Sequence, residues 1–239
     1  MKKQVRNALL LSTLTTISIY GINKAINISS TLKNLMKTDK GNFFNWRYGN
    51  IFYTKQGKGS PLLLIHDLTP ASSSYEWERI AKHLAKRHTV YSLDLLGCGR
   101  SSKPNMTYSN FLFVQLLTDF TKNVIGTNPD IIATWNSASF VLMACNMEPE
   151  YFNKIIIINP APLEELAKTP NKRKNTLKFL LDLPVFGTMV YNLAFSQRSI
   201  RQTFQKYFYK EHMVPSRIID TYYEAAHMEN SRGKYLLSS

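Results

Sequence analysis

Asp130-Ile-Ile-Ala-Thr-Trp-Asn-Ser-Ala-Ser139 is the stretch on which the reading of this sequence turns. Ile131 to Thr134 have strand character, Trp135 to Ser139 follow without a loop, and Phe140 to Met147 form an apolar helix candidate. A strand that passes so abruptly into a helix lifts one side chain out at the crest, which is how a nucleophilic serine can be presented. The crest backbone is strained, so the residues two before and two after it must be small. Two registers fit. With Ser137 at the crest the flanks are Trp135 and Ser139, and the strand keeps its full run. With Trp135 at the crest the flanks are Ala133 and Ser137, but only Ile131 and Ile132 remain for the strand, which is short. Strand length favours the first register, with Ser137 as candidate nucleophile. The bland reading is an ordinary strand-to-helix junction with Ser137 as its cap.

Upstream, Phe43 to Arg47 and Ile51 to Lys55 flank Tyr48-Gly49-Asn50 and read as an antiparallel hairpin. Leu62-Leu63-Leu64-Ile65 is a continuous apolar run, the type buried on both faces of a parallel sheet, and it ends in His66-Asp67-Leu68. Ser73 and Glu76 have capping-box spacing ahead of Trp77, Ile80, Ala81 and Leu84 on one helical face. Thr89 to Asp94 is the next strand, Asn110 to Val124 the next helix, and Lys154 to Ile158 a strand closed by Asn159-Pro160. This alternation predicts a doubly wound, mostly parallel α/β sheet behind an opening hairpin. Past Pro160, Thr176 to Phe195, broken at Pro184, and Ile218 to His227 read as a helical cap.

The first residues follow a different pattern. Lys2, Lys3 and Arg6 precede a charge-free run from Asn7 to Asn23, which has the form of a signal anchor or signal peptide. No small-residue cleavage site closes it, so an uncleaved membrane anchor is expected, forming one helix separate from the core; a cleaved signal or a surface helix are the other readings. Lys24, Lys33 and Lys37 balance the basic head, leaving orientation open. The expected organisation is an anchor over 1–36, a core over 37–160 and a cap over 161–239.

At 239 residues and 44% hydrophobic the chain can bury a sizeable core. Lys and Arg number 30 against 16 acids, a formal charge of +14. The basic residues are dispersed, without the clusters that nucleic-acid binding requires, so the charge reads mainly as a solvated surface, with an anionic membrane as the second reading. Cys98 and Cys145 have no partner at metal-ligand spacing, and no cofactor or metal is expected.

The hairpin, His66-Asp67-Leu68, Asp94-Leu95-Leu96-Gly97-Cys98-Gly99-Arg100-Ser101, the elbow and Ile158-Asn159-Pro160, in that order, resemble the α/β-hydrolase fold family with a helical lid after the sixth strand. The resemblance runs from about residue 42 to the end. It implies an oxyanion hole made by the amides of Leu68 and Ala138, with Asp67 where the family has glycine, and a backbone-bonded role for His66. It also implies an acid and a histidine after the last strands. Here only His212 and His227 follow Ser137; with Asp220 and Glu224 near it, His227 pairs with Asp220 as candidate triad partners, the other reading being a structural or substrate-facing lid histidine. No apolar strand follows Pro160, so the fold is expected to be C-terminally incomplete and the chain to be a poor catalyst. Two functions are compatible with these features: a membrane-anchored serine hydrolase acting on an ester or other hydrophobic acyl substrate through Ser137, and a non-catalytic binding protein or inactive fragment on the same fold.

Overall fold

The computed structural model describes residues 2–38, 41–160, 162, 172–206 and 214–239. Among them, β1 (Gly41–Trp46), β2 (Gly49–Gln56), β3 (Ser60–Ile65), β4 (His88–Leu93), β5 (Asp130–Thr134) and β6 (Ile155–Ile158) form one sheet in the order β1-β2-β4-β3-β5-β6. The β1/β2 and β2/β4 pairs are antiparallel; β4/β3, β3/β5 and β5/β6 are parallel. This is the expected α/β-hydrolase order, hairpin first and parallel strands after.

The run Leu62 to Ile65 is apolar throughout because β3 lies between β4 and β5 and is covered on both faces. Leu63 and Ile65 join a core with Phe113 and Leu117 of α3 (Asn110–Phe120) and Phe140 and Val141 of α4 (Ser137–Met147). Leu62 and Leu64 pack on the other face against Trp77 and Ala81 of the segment leading into and along α2 (Glu78–Leu84). Each fully buried side chain of this size contributes about 1.5–3 kcal/mol.

The loop after β4 is fixed by a charge. Asp94 is wholly buried and accepts from the Ser74 N–H (2.7 Å), the Arg100 N–H (2.8 Å), and Arg100 Nε (2.7 Å) and Nη2 (3.1 Å). Burial alone would raise this carboxyl, but the Arg100 guanidinium overrides it and holds the group at about 2. Arg100 lies 3.8 Å over the Phe52 ring and reaches the Met36 carbonyl at 3.3 Å, so one ion pair ties together the loop, β2 and the segment after α1 (Lys2–Thr31). Gly97, Gly99 and Ser101 shape this loop as expected; a Cβ on Gly97, at φ 87°, would meet the Tyr108 ring at 2.8 Å.

Beyond β6 the described chain is helical: α5 (Lys172–Asp182), α6 (Phe186–Ala194), α7 (Gln197–Gln205), α8 (Ser216–Ser231) and α9 (Lys234–Leu237). The break expected at Pro184 separates α5 from α6. The end of α8 is strained, with Met228 extended and Glu229, Asn230 and Ser231 left-handed at φ 52°, 58° and 59°.

Helix α1 (Lys2–Thr31) is longer than the run that predicted it. Its first two-thirds is exposed apart from half-buried Thr16 and Ile19, and by length and composition it could cross a membrane, a test that a signal sequence also passes. The expectation of a helix wholly separate from the core fails at Asn23. Asn23, Asn27 and Ser30 are buried against the cap. Asn23 Nδ2 donates to the Val185 carbonyl (3.0 Å), Asn192 Nδ2 donates to Asn23 Oδ1 (3.0 Å), and Ser231 Oγ bonds both Asn27 Oδ1 (2.5 Å) and Asn192 Oδ1 (2.9 Å). Glu224 then accepts from the Leu35 and Met36 N–H groups.

Candidate functional site

β3 and β5 end side by side, and the loops leaving them meet under the cap. A cavity of about 1080 Å³ lies there, lined by Asp67 to Ser72, Glu76, Trp135, Asn136 and Ile158 from the sheet side, and by Phe195, Ile200, Phe204 and Tyr222 from the cap. Its position at the carboxyl ends of parallel strands is where α/β sheets hold their ligands.

The crest of the turn after β5 is Trp135. Its φ is 46°, a left-handed conformation that is an outlier for a bulky residue, and it lines the cavity. Ala133 and Ser137, the small flanks this register requires, are both fully buried. This corrects the placement of Ser137. Ser137 is the first residue of α4, and its hydroxyl donates to the His66 carbonyl at 2.6 Å, stitching the start of α4 to the end of β3. The length argument that favoured Ser137 fails because β5 begins at Asp130 and runs through Thr134 to the foot of the crest. Ala133, the small flank, is itself a strand residue, so β5 keeps its full length in this register.

The oxyanion donors shift with the crest. Ala138, expected to supply one, is buried with its N–H on the Trp135 carbonyl at 3.2 Å. The amide one past the crest is that of Asn136. It donates to Asp67 Oδ1 at 3.1 Å, joined by Asn136 Nδ2 at 3.1 Å, and the Leu68 N–H, the other expected donor, also bears on the Asp67 carboxylate. The residue that stands in place of glycine therefore puts its own anion among these donors. Burial pushes the Asp67 carboxyl up, and the bonds from Asn136 and Leu68 pull it partly back.

Glu76, read from the sequence as half of a capping box, has another task. Ser73 does cap the turn, its Oγ accepting the Tyr75 N–H at 3.4 Å, but the Glu76 carboxylate accepts from the Asp67 N–H (3.1 Å) and Thr134 Oγ1 (2.7 Å). Burial raises its pKa, the Thr134 and Asp67 bonds oppose that, and the nearby Asp67 charge adds to the rise. The phenol of Tyr222 is raised by burial and by these same two carboxylates. No Lys, Arg or His is among the described residues lining the cavity.

His66 holds backbone, as expected. The Leu95 N–H donates to Nε2 at 3.0 Å, so Nδ1 carries the proton and donates to the Asp67 carbonyl at 2.7 Å. Burial lowers its pKa and keeps it neutral. Asp220 and His227, the candidate triad partners, are not brought to Ser137. Asp220 is held by Lys33 (2.6 Å) and Gln197 (2.8 Å). His227 is buried in α8 with Nδ1 bonded to the Tyr223 carbonyl one turn back, and its Nε2 meets no partner among the described residues. Neither lines the cavity, and His212 lies outside the described residues.

Comparison with known proteins fits this architecture. Residues 60–179, just over half of the chain, match the sequence model of the α/β hydrolase fold. The chain is 35% identical over 71 residues to 2-hydroxy-6-oxo-6-(2'-aminophenyl)hexa-2,4-dienoic acid hydrolase of Metapseudomonas resinovorans, a match spanning 29% of this chain and 24% of that enzyme's length. Its fold resembles an α/β hydrolase fold protein from Burkholderia ambifaria, with a TM-score of 0.64 and 20% identity over 84% of this chain and 70% of the other. It also resembles a meta-cleavage product hydrolase from Pseudomonas fluorescens, with a TM-score of 0.65 and 17% identity over 82% and 67%.

Proposed function

The chain belongs to the α/β hydrolase fold family, and from that premise we propose that it is a ligand-binding member in which the hydrolytic centre of the fold is not assembled. The observation that carries this reading is the bond from the Asn136 N–H to Asp67 Oδ1. An oxyanion hole works because its donors are aimed at a place where negative charge will develop. Here that place is filled by a fixed carboxylate, which takes up the donors and repels a second anion. Trp135 at the crest supplies no nucleophile, and the Ser137 hydroxyl is buried and committed to the His66 carbonyl.

The cavity keeps the capacity to bind. Its lining is largely apolar, with Asp67 and Glu76 as its charges, so it favours a small apolar molecule that is neutral or carries a cationic group over a carboxylate-bearing one. The part of helix α1 before Asn23 anchors this binding unit to a membrane, with 37–160 as core and 161–239 as cap, while residues 23–36 of the expected 1–36 anchor pack on the cap. The hydrolase relatives favour a second reading, a serine hydrolase acting on an acyl substrate through Ser137. It requires that serine to leave the His66 carbonyl and turn into the cavity.

One experiment separates the two. The full chain in detergent is treated with a fluorophosphonate probe and a short p-nitrophenyl ester, beside Ser137→Ala. The binding reading expects no labelling above background and no difference between the proteins. Labelling that depends on Ser137 refutes it. In parallel, an alkylammonium ion is expected to raise the melting temperature more than the alkyl carboxylate of equal chain length.

A further inference from the structure

Helix α6 turns its apolar side outward. Phe186, Met189, Val190 and Leu193, at spacing i, i+3, i+4 and i+7, are exposed by 46, 37, 40 and 62%, while Gly187, Tyr191 and Asn192 face inward. The inward polar groups are satisfied, Tyr191 by the Ala226 carbonyl at 2.7 Å and Asn192 by Asn23 and Ser231. The outward stripe has no such partner among the described residues. On the neighbouring α5, Phe179 and Leu180 are exposed as well. An apolar stripe of this kind on an amphipathic helix costs solvation free energy in water and marks a surface covered by a membrane or a partner.

The place where α1 leaves the cap gives the level of that surface. Between Arg6 and Asn23, α1 has 16 uncharged residues, which at about 1.5 Å each span about 24 Å, most of the ~30 Å hydrocarbon thickness of a bilayer. Asn23 comes next, and it is the residue bonded to the Val185 carbonyl at the start of α6 and to Asn192 within it. The end of the uncharged, exposed part of α1 thus coincides with the helix whose apolar side is exposed. Lys24 on α1 and Arg198 and Arg201 on α7 are exposed close to that boundary in sequence, and the chain carries a formal +14, so anionic headgroups complement it.

We propose that α6 and the end of α5 lie in the headgroup–acyl boundary of an anionic phospholipid bilayer beside α1, so that the cap rests on the membrane. Ala194 and Phe195, at the end of α6, also line the cavity. Its ligand therefore has a route from the bilayer. This inference rests on α1 being the anchor, and its test keeps the two apart.

The full chain, with Cys145 replaced by serine and Cys98 left buried, is placed in phosphatidylcholine–phosphatidylglycerol vesicles. Single cysteines at Leu193, Met189, Val190, Leu11 or the exposed Lys58 carry an environment-sensitive nitrobenzoxadiazole label, and only variants that melt like the parent are used; the three α6 positions substitute for one another. Spin-labelled lipids are expected to quench the α6 labels several-fold more than the Lys58 label, and the Leu11 label by a deeper quencher. Quenching at Leu11 with α6 labels no different from Lys58 leaves the anchor standing and overturns the cap proposal. No quenching at Leu11 or α6 removes the anchor and the proposal together. Dry α6 labels that lipids do not quench, and that become wet on dilution, identify a second copy as the occupant and also overturn it.

Discussion

Replacing Asp94 by asparagine tests whether the buried ion pair in the loop after β4 holds the loops as described. Two routes give its size. The carboxyl is shifted from 3.8 to about 2, and at about 1.36 kcal/mol per unit its ionised form contributes about 2 kcal/mol to folding. Removing one partner of a buried pair costs about 3–5 kcal/mol, because the other charge is left uncompensated. Asparagine keeps one acceptor but presents an NH₂ to donors on Ser74 and Arg100, so about 3 kcal/mol is expected, a large part of the ~5–15 kcal/mol that stabilises a typical domain. The assay is denaturant unfolding in detergent, followed by circular dichroism. The pH dependence sharpens it. The folded-state pKa is depressed, so the stability from Asp94 is present above 3.8 and lost as pH falls towards about 2. In Arg100→Met the partner charge is gone, burial raises the Asp94 carboxyl, and the sign inverts: that variant gains stability as pH falls. A loss below about 1 kcal/mol in Asp94→Asn, or profiles of the same sign in parent and Arg100→Met, would refute the reasoning.

Three further outcomes are expected. Burial raises Asp67 in the folded state, so its charge opposes folding above its folded pKa and this penalty is relieved as pH falls; Asp67→Asn should melt higher than the parent at pH 7, with the difference closing through the carboxylate range. His66 is buried neutral with a lowered pKa, so its contribution is present above 6.5 and lost as pH falls below that value; a melting series from pH 8 to 5 should show the fall in the parent and its absence in His66→Asn, against the background of that variant's own lower stability. Asn192→Ala leaves Asn23 and Ser231 each short of a partner in a buried network, and detergent unfolding should show a loss of about 1–3 kcal/mol.

What could be read from the sequence was what local pattern encodes. The run Leu62 to Ile65 announces a strand covered on both faces, and the turn after β5 announces itself by following a strand directly. The register of that turn depended on which residue adopts positive φ, and both candidates had at least one small flank. The tasks of Glu76 and Asp67 were hidden because their partners, Thr134 and Asn136, are distant in sequence and meet them only when β3 and β5 lie side by side. In the sequence Asn23 only ends the charge-free run, and Asn27 lies beyond it. In the fold their amides are the joint between α1 and the cap, made with Asn192 and Ser231 from the far end of the chain.

Trp135 gives the molecule an optical property that follows from its place at the crest. The chain has three tryptophans. Trp46 is buried with its indole N–H on Asp119, and Trp77 is buried on the far face of the sheet. Only the indole of Trp135 borders the cavity, so a molecule entering it changes the surroundings of one emitter out of three and leaves the other two as an internal reference. Subtracting the spectrum of a Trp135→Phe chain isolates that emitter, and its wavelength and quantum yield then report occupancy in the unlabelled protein, in detergent or in vesicles alike.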